Sequence, residues 1–161
     1  MKTKFLLTAL LLFVLNVHAQ VTYISGKVIS VADGDTFTLL VNGRKQQKIR
    51  LQGIDCPESN QDYGNKAKQF TSSLCFTKQV RVEVVGMDRY NRTLGIVFLE
   101  DGRNLNKALL EAGLAWHYKY FDDSKEMSQL EQIARAKKVG LWSMKDPIAP
   151  WEFRKLSRLS Y

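Results

Sequence analysis

The sequence has 161 residues and a formal net charge of +8, enough for one domain with one buried core and too little for two. The basic balance favours polyanionic partners such as nucleic acid, anionic surfaces or acidic polysaccharide, without choosing among them. Two cysteines and two histidines, dispersed along the chain, exclude a Cys/His zinc cluster.

In chain order, Lys2 and Lys4 precede an almost wholly apolar run from Phe5 to Val14, and Val17-His18-Ala19 offers a small-residue cleavage site before Gln20. That is the layout of a secretory signal peptide. Residues 1–19 are therefore expected to be removed, leaving 20–161 as a single domain that is secreted or periplasmic and free of the membrane. The apolar run is shorter than the about 20 residues a membrane span needs. No cysteine follows the cleavage site, which argues against a lipoprotein. Export implies an oxidising compartment, where Cys56 and Cys75 can pair as a disulfide worth roughly 3 kcal/mol. Two buried free thiols are the alternative.

Strands come first. Gly26 to Ala32 carries Val28, Ile29 and Val31 and stops at the Asp33-Gly34 turn. Thr36 to Val41 is a second strand, followed by Asn42-Gly43, a strong hairpin signal. Lys48 to Gln52 is the third, with Ile49 and Leu51 on one face and Arg50 on the other. Tyr63 to Cys75 reads as a helix, with Ala67, Phe70 and Leu74 on one side. A fourth strand alternates Val80, Val82 and Val84, and a fifth alternates Leu94, Ile96 and Phe98. Leu105, Ala108, Leu109 and Ala112 mark a second helix stopped by Gly113. A third runs from about Ser124 to Val139, with Asp123 and Glu126 as a capping box and Gly140 at its end. The tail, with Pro147, Pro150 and Trp151, reads as an irregular segment docked by its aromatic residue. The expected fold is α+β, a five-stranded OB-type β-barrel with three helices.

Charged residues cluster at three strand ends: Asp33-Gly34-Asp35-Thr36, Arg50 through Asp55-Cys56-Pro57-Glu58, and Asp88-Arg89-Tyr90-Asn91-Arg92. Phosphodiester hydrolysis needs a group to orient or deprotonate water, which suits a carboxylate. It also needs arginine forks or a cation against the charge that builds on phosphorus oxygens. A hard cation such as Ca²⁺ takes several oxygen ligands. Asp33, Asp35, Asp55 and Glu58, with Arg50 and Arg92, supply these parts. His117 has no visible orienting partner and reads as structural. Trp116, Trp142 and Trp151 read as packing residues. Lys137-Lys138 and Arg154-Lys155 read as solvated faces that add diffuse attraction for polyanions.

These segments resemble the staphylococcal nuclease family, in order, together with Leu105-Asn106 through Gly113-Leu114-Ala115 and Gly140-Leu141-Trp142-Ser143. The resemblance covers nearly the whole chain after the signal. It implies a monomeric Ca²⁺-dependent enzyme that cuts DNA and RNA, prefers single strands and leaves 3′-phosphate ends, with no stable protein partner. Asp35, Asp55 and the backbone carbonyl of Cys56 match the family's protein ligands to Ca²⁺, and Asp33 matches a carboxylate behind them. Glu58 matches the residue cast as general base, and Arg50 and Arg92 the arginines that grip the scissile phosphate. Arg89 and Tyr90 match residues near a bound nucleotide's terminal phosphate, and Tyr118 the base-stacking tyrosine. The chain departs from the pattern in a shorter loop between Glu58 and Tyr63, in Arg89 for a lysine and in Asn91 for a glycine. The rival reading is a non-catalytic OB-type domain that binds nucleic acid, a role that leaves the carboxylates without a use.

Overall fold

The computed structural model describes residues 21–159; the expected signal segment lies outside them. Its frame is a closed barrel in which β1 (Thr22–Val31), β2 (Thr36–Val41), β3 (Lys45–Leu51), β6 (Thr93–Phe98) and β5 (Gln79–Met87) are neighbours in that order. β1 pairs with β5 to close it. All ladders are antiparallel except β3 with β6, which runs parallel with Ile49 opposite Thr93 and Arg50 opposite Leu94. Val28, Phe37, Leu39, Ile49, Leu51, Val82 and Val97 fill the interior. The β2–β3 hairpin turns at Asn42 and Gly43, whose φ angles of 51° and 67° are the positive pair that Asn-Gly favours.

The fifth barrel strand faces the other way from the expected alternation. Thr93, Gly95 and Val97 are buried, while Leu94, Ile96 and Phe98 lie on the half-buried outer face. The cause is close packing at Gly95, where a Cβ would come within 2.3 Å of Val82 Cγ1. The interior position is occupied by the lack of a side chain rather than by an apolar one.

Helices cover the barrel's open ends. α1 (Gly64–Cys75) sets Ala67 and Cys75 into the core, and α2 (Leu105–Glu111) adds Leu105, Leu109 and Leu110. The buried Asn106 accepts from Val97 N at 3.0 Å and donates to the carbonyls of Gln52 (2.8 Å) and Gly95 (3.2 Å), fixing the end of β3 where the site begins. α3 (Lys125–Ala136) is capped by Ser124, whose hydroxyl accepts from Met127 N at 3.2 Å, and not by Asp123. A short ladder of β4 (Ile54–Asp55) and β7 (Trp116–His117) lies outside the barrel.

The tail is helical, so the described chain has four helices and not three. α4 (Pro150–Leu159) starts at a proline, which suits the first helical turn because the missing N–H has no partner there anyway. Among the described residues no helix is long and apolar enough to cross a membrane.

Candidate active site

Three connections between elements meet at one mouth of the barrel. The β1–β2 turn is held from beneath by α1, whose Thr71 hydroxyl donates to Gly34 O at 2.5 Å. A Cβ on Gly34 would lie 2.6 Å from Ala67 Cβ and 2.7 Å from Cys56 Sγ, so only glycine lets the turn sit this close. Asp33 Oδ1 accepts from Asp35 N at 3.1 Å, which tightens the turn and aims Asp35 inward. Arg50 stands opposite Thr36 in the β2–β3 ladder, one residue from Asp35. Asp55 is held by pairing with Trp116 across the β4–β7 ladder.

The side chains meet as a buried charge cluster. Arg50 pairs through Nη1 with Asp35 Oδ2 and through Nη2 with Asp55 Oδ1, the latter at 2.6 Å. Cys56 N donates to Asp35 Oδ2 at 2.6 Å. Burial pushes the Asp35 carboxyl up to about 6, although the Arg50 guanidinium pulls it down. Burial also raises Asp55 above the ordinary carboxylate value, against the pull of Arg154 and Arg50. Arg50 loses hydration by burial too, yet the two carboxylates more than offset this and hold it firmly charged.

Glu58, half exposed, follows on the same wall. Its backbone N–H is received by Gln61 Oε1 at 3.2 Å, and Gln61 Nε2 donates to Ile148 O at 2.6 Å, tying this short loop to the segment before α4. Arg154 of α4 completes the cluster. It donates through Nη1 to Glu58 Oε1 (2.6 Å) and Asp55 Oδ1 (3.3 Å), and through Nη2 to Asp55 Oδ2 (2.7 Å). The sequence placed Arg154 on a solvated face; it is instead an ion-pair partner at the centre of the cleft. A single arginine beside Lys155 carries no motif, and only the helix brings it here.

The remaining residues singled out in the sequence line the same cleft, a cavity of about 790 Å³ bounded by Asp33, Asp35, Arg50, Asp55, Cys56, Glu58, Arg89, Tyr90, Arg92, Tyr118 and Arg154 among others. Arg92 Nε donates to Asp88 Oδ2 at 2.7 Å, and Asp88 Oδ1 accepts from the backbone of Tyr90 and Arg92 at 2.9 Å each. These bonds outweigh the cost of burial and lower the Asp88 carboxyl below its ordinary range. Asn91 takes φ 59°, a left-handed conformation that asparagine tolerates. The exposed Tyr90 ring carries Arg89 at 4.9 Å and Arg92 at 5.5 Å from its centroid. Tyr118 lies flat on Trp151 of α4, with centroids 5.1 Å apart and planes 5° from parallel.

The expected disulfide does not form in this structure. Cys56 and Cys75 are both buried free thiols, Cys56 packed towards Gly34 and Cys75 Sγ donating to Thr71 O at 3.1 Å in its own helix. Burial raises both thiols, Cys75 to about 12. His117, read from the sequence as structural for want of an orienting partner, has two partners that the sequence did not reveal. Its Nε2 meets Asp122 Oδ1 at 2.9 Å and its Nδ1 meets Ser128 Oγ at 3.0 Å. Trp116 and Trp142 pack edge to face at 4.5 Å, with the Arg135 guanidinium over both rings.

Among the described residues no group of three or more His, Cys, Asp and Glu side chains forms a ready-made metal cage. The donor set is two buried carboxylates from different elements, converging on one guanidinium. Hard oxygen donors of this kind suit Ca²⁺, which readily completes its shell with backbone carbonyls and water. Arg50 and Arg154 already stand against these carboxylates, and the donor chemistry fits such a cation where one of those contacts gives way.

A family model of staphylococcal nuclease homologues matches residues 48–144, a span that holds Arg50, Asp55, Glu58 and Arg92 but neither Asp35 nor Arg154. The chain is 38% identical over 159 residues to an uncharacterized endonuclease of Haemophilus influenzae, covering 98% of this chain and 88% of that one. It is 40% identical over 145 residues to an uncharacterized endonuclease of Escherichia coli, covering 90% and 94%. A micrococcal nuclease of Shigella flexneri is 37% identical over 143 residues, covering 83% and 82%. With a family match across more than half its length and relatives aligned over nearly all of it, on the barrel that carries the cleft, the chain belongs to the staphylococcal nuclease family.

Proposed function

We propose that this nuclease-family protein is an exported, monomeric, Ca²⁺-dependent phosphodiesterase that cuts DNA and RNA, prefers single strands and leaves 3′-phosphate ends. The observation that carries the reading is the convergence of Asp35, Asp55, Arg50 and Glu58 in one cleft, where a pure binding module gains nothing from acidic groups beside a phosphate.

Asp35 and Asp55, with the Cys56 carbonyl, are the groups to hold Ca²⁺. When bound there, such a cation would supply Lewis-acid charge against the phosphate oxygens. Glu58 accepts the proton of the attacking water, its half-exposed carboxylate standing where solvent and cluster meet. Arg50 and Arg92 present planar forks to the phosphate and hold the charge that builds on it as the 5′ oxygen leaves. Arg50 is held in plane through both η nitrogens by Asp35 and Asp55, whereas Arg92 gives only Nε to Asp88. Asp33 fixes Asp35 through the turn. Arg89 and Tyr90 flank the phosphate path, and the half-buried Tyr118 offers a face for stacking a base.

The test is cleavage of denatured DNA and of RNA by protein beginning at Gln20, with Ca²⁺ and with chelator, followed by end-group analysis. Ca²⁺-dependent cleavage with 3′-phosphate ends supports the reading. Binding that chelator leaves intact, with no cleavage, replaces it with the non-catalytic nucleic-acid-binding domain. N-terminal sequencing of protein recovered outside the cytoplasm tests export, with Gln20 as the expected first residue.

A further inference from the structure

Asp55 has both carboxylate oxygens taken. Oδ1 accepts from Arg50 at 2.6 Å and from Arg154 at 3.3 Å, and Oδ2 accepts from Arg154 at 2.7 Å. The same Arg154 guanidinium reaches Glu58 at 2.6 Å. One arginine thus occupies the carboxylate that is to hold the cation and the one that is to take the proton. Three of the roughly four acceptor positions on Asp55 are filled, so a cation that takes both of its oxygens displaces at least one of these bonds. Arg50 is buried, with 12% of its side chain exposed, and is locked between two carboxylates; Arg154 is 36% exposed on a flexible stem. Arg154 is therefore the group that yields.

The helix that delivers it is docked by Trp151 against Tyr118 and by the buried Ala149 and Pro150. A guanidinium released from Asp55 stays within the cleft, where its planar fork suits a phosphate. We infer that Arg154 is a third substrate-binding arginine of the cleft, held on Asp55 and Glu58 until a cation claims Asp55 and then turned to the phosphate. This rests on the nuclease reading above. Cation binding and substrate binding are coupled through one side chain: the ion frees the arginine, and the freed arginine leaves Glu58 open to water. By charge the exchange is favourable, since a divalent ion in place of one guanidinium leaves the carboxylates one positive charge richer and the displaced guanidinium pairs with the phosphate.

The inference gives two readouts of opposite sign. Arg154→Gln removes the competitor, so Ca²⁺ alone, titrated by calorimetry, binds several-fold more tightly than to wild type. The same variant at saturating Ca²⁺ shows a KM for single-stranded DNA raised about tenfold, the loss expected for one charge-assisted phosphate contact. Arg154→Lys restores part of the KM but not the fork geometry. A clip that served only to fasten α4 moves neither quantity in this pattern, so unchanged or weakened Ca²⁺ binding overturns the inference, as does an unchanged KM. If Arg154→Gln does not fold, the wild type answers alone. Arg154 guanidinium protons, protected from exchange without Ca²⁺, lose that protection when Ca²⁺ is added; protection that persists overturns the exchange. Should wild type bind Ca²⁺ and DNA without cleaving, the nuclease reading fails. Calorimetry, proton exchange and DNA affinity in place of KM then still decide the role of Arg154.

Discussion

At Arg50 two carboxylates share one guanidinium away from water, and the two obvious substitutions in the cluster therefore differ in kind. Arg50→Ala strands the buried Asp35 without its counter-charge and leaves Asp55 to Arg154 alone, a loss of roughly 3 kcal/mol or more in a buried pair. Its melting temperature is expected to fall in chelator and to recover on adding Ca²⁺ by more than wild type gains. Glu58→Gln removes a half-exposed carboxylate that buries little. It is expected to melt within a few degrees of wild type while turnover of single-stranded DNA falls by orders of magnitude; near-normal turnover would sink the general-base role. Asp88, outside this cluster, gives a test by pH. Its folded carboxyl lies below the ordinary value of about 3.9. The stability it contributes is thus fully present above that value and is lost as pH falls through the lower folded one. The melting-temperature gap between wild type and Asp88→Asn should be largest near neutrality and close in acid. The acidic residues and Arg50 were legible because strand ends and turns announced them. Arg154 was not, because an isolated arginine carries no signal until the helix that bears it is in place.

At the scale of elements, β5 was legible through the alternation of Val80, Val82 and Val84, and β2 through the Asn42-Gly43 turn that ends it. β6 was legible as a strand but not in its facing, since Thr93 and Gly95 enter the barrel by being small or hydrogen-bonded rather than apolar. α4 was missed because Pro150 was read as a breaker when it stands at the first helical position, where proline is at home. Gly95 offers a direct check of the barrel's closeness. Gly95→Ala sets a Cβ 2.3 Å from Val82 Cγ1, a β-branched side chain with no exposed surface and no room to turn. A loss of roughly 1–3 kcal/mol is expected in denaturant unfolding. Adding Val82→Ala should return part of it, so that the double variant is more stable than the two single losses sum to.

Across the whole molecule, the net charge, +8 in full and +6 without Lys2 and Lys4, acts together with the arginine-lined cleft on a polyanion. The charge was plain in the composition, whereas its concentration around an acidic centre appears only once the barrel is closed. Substrate binding is expected to weaken linearly in log–log plots as salt rises, with a slope that counts the phosphates neutralised. A KM flat in salt would show that the surface charge plays no part.

The parallel pairing of β3 with β6 sets when such a molecule becomes dangerous to nucleic acid. Residues on either side of this seam, Ile49 and Thr93, are distant in sequence and adjacent only across it, so the loop between them must close before Arg50 and Arg92 share a cleft. Such non-local pairing comes slowly in folding. An unfolded or half-threaded chain therefore holds Arg50 and Arg92 apart, and the closing of the seam is the event that assembles the cleft.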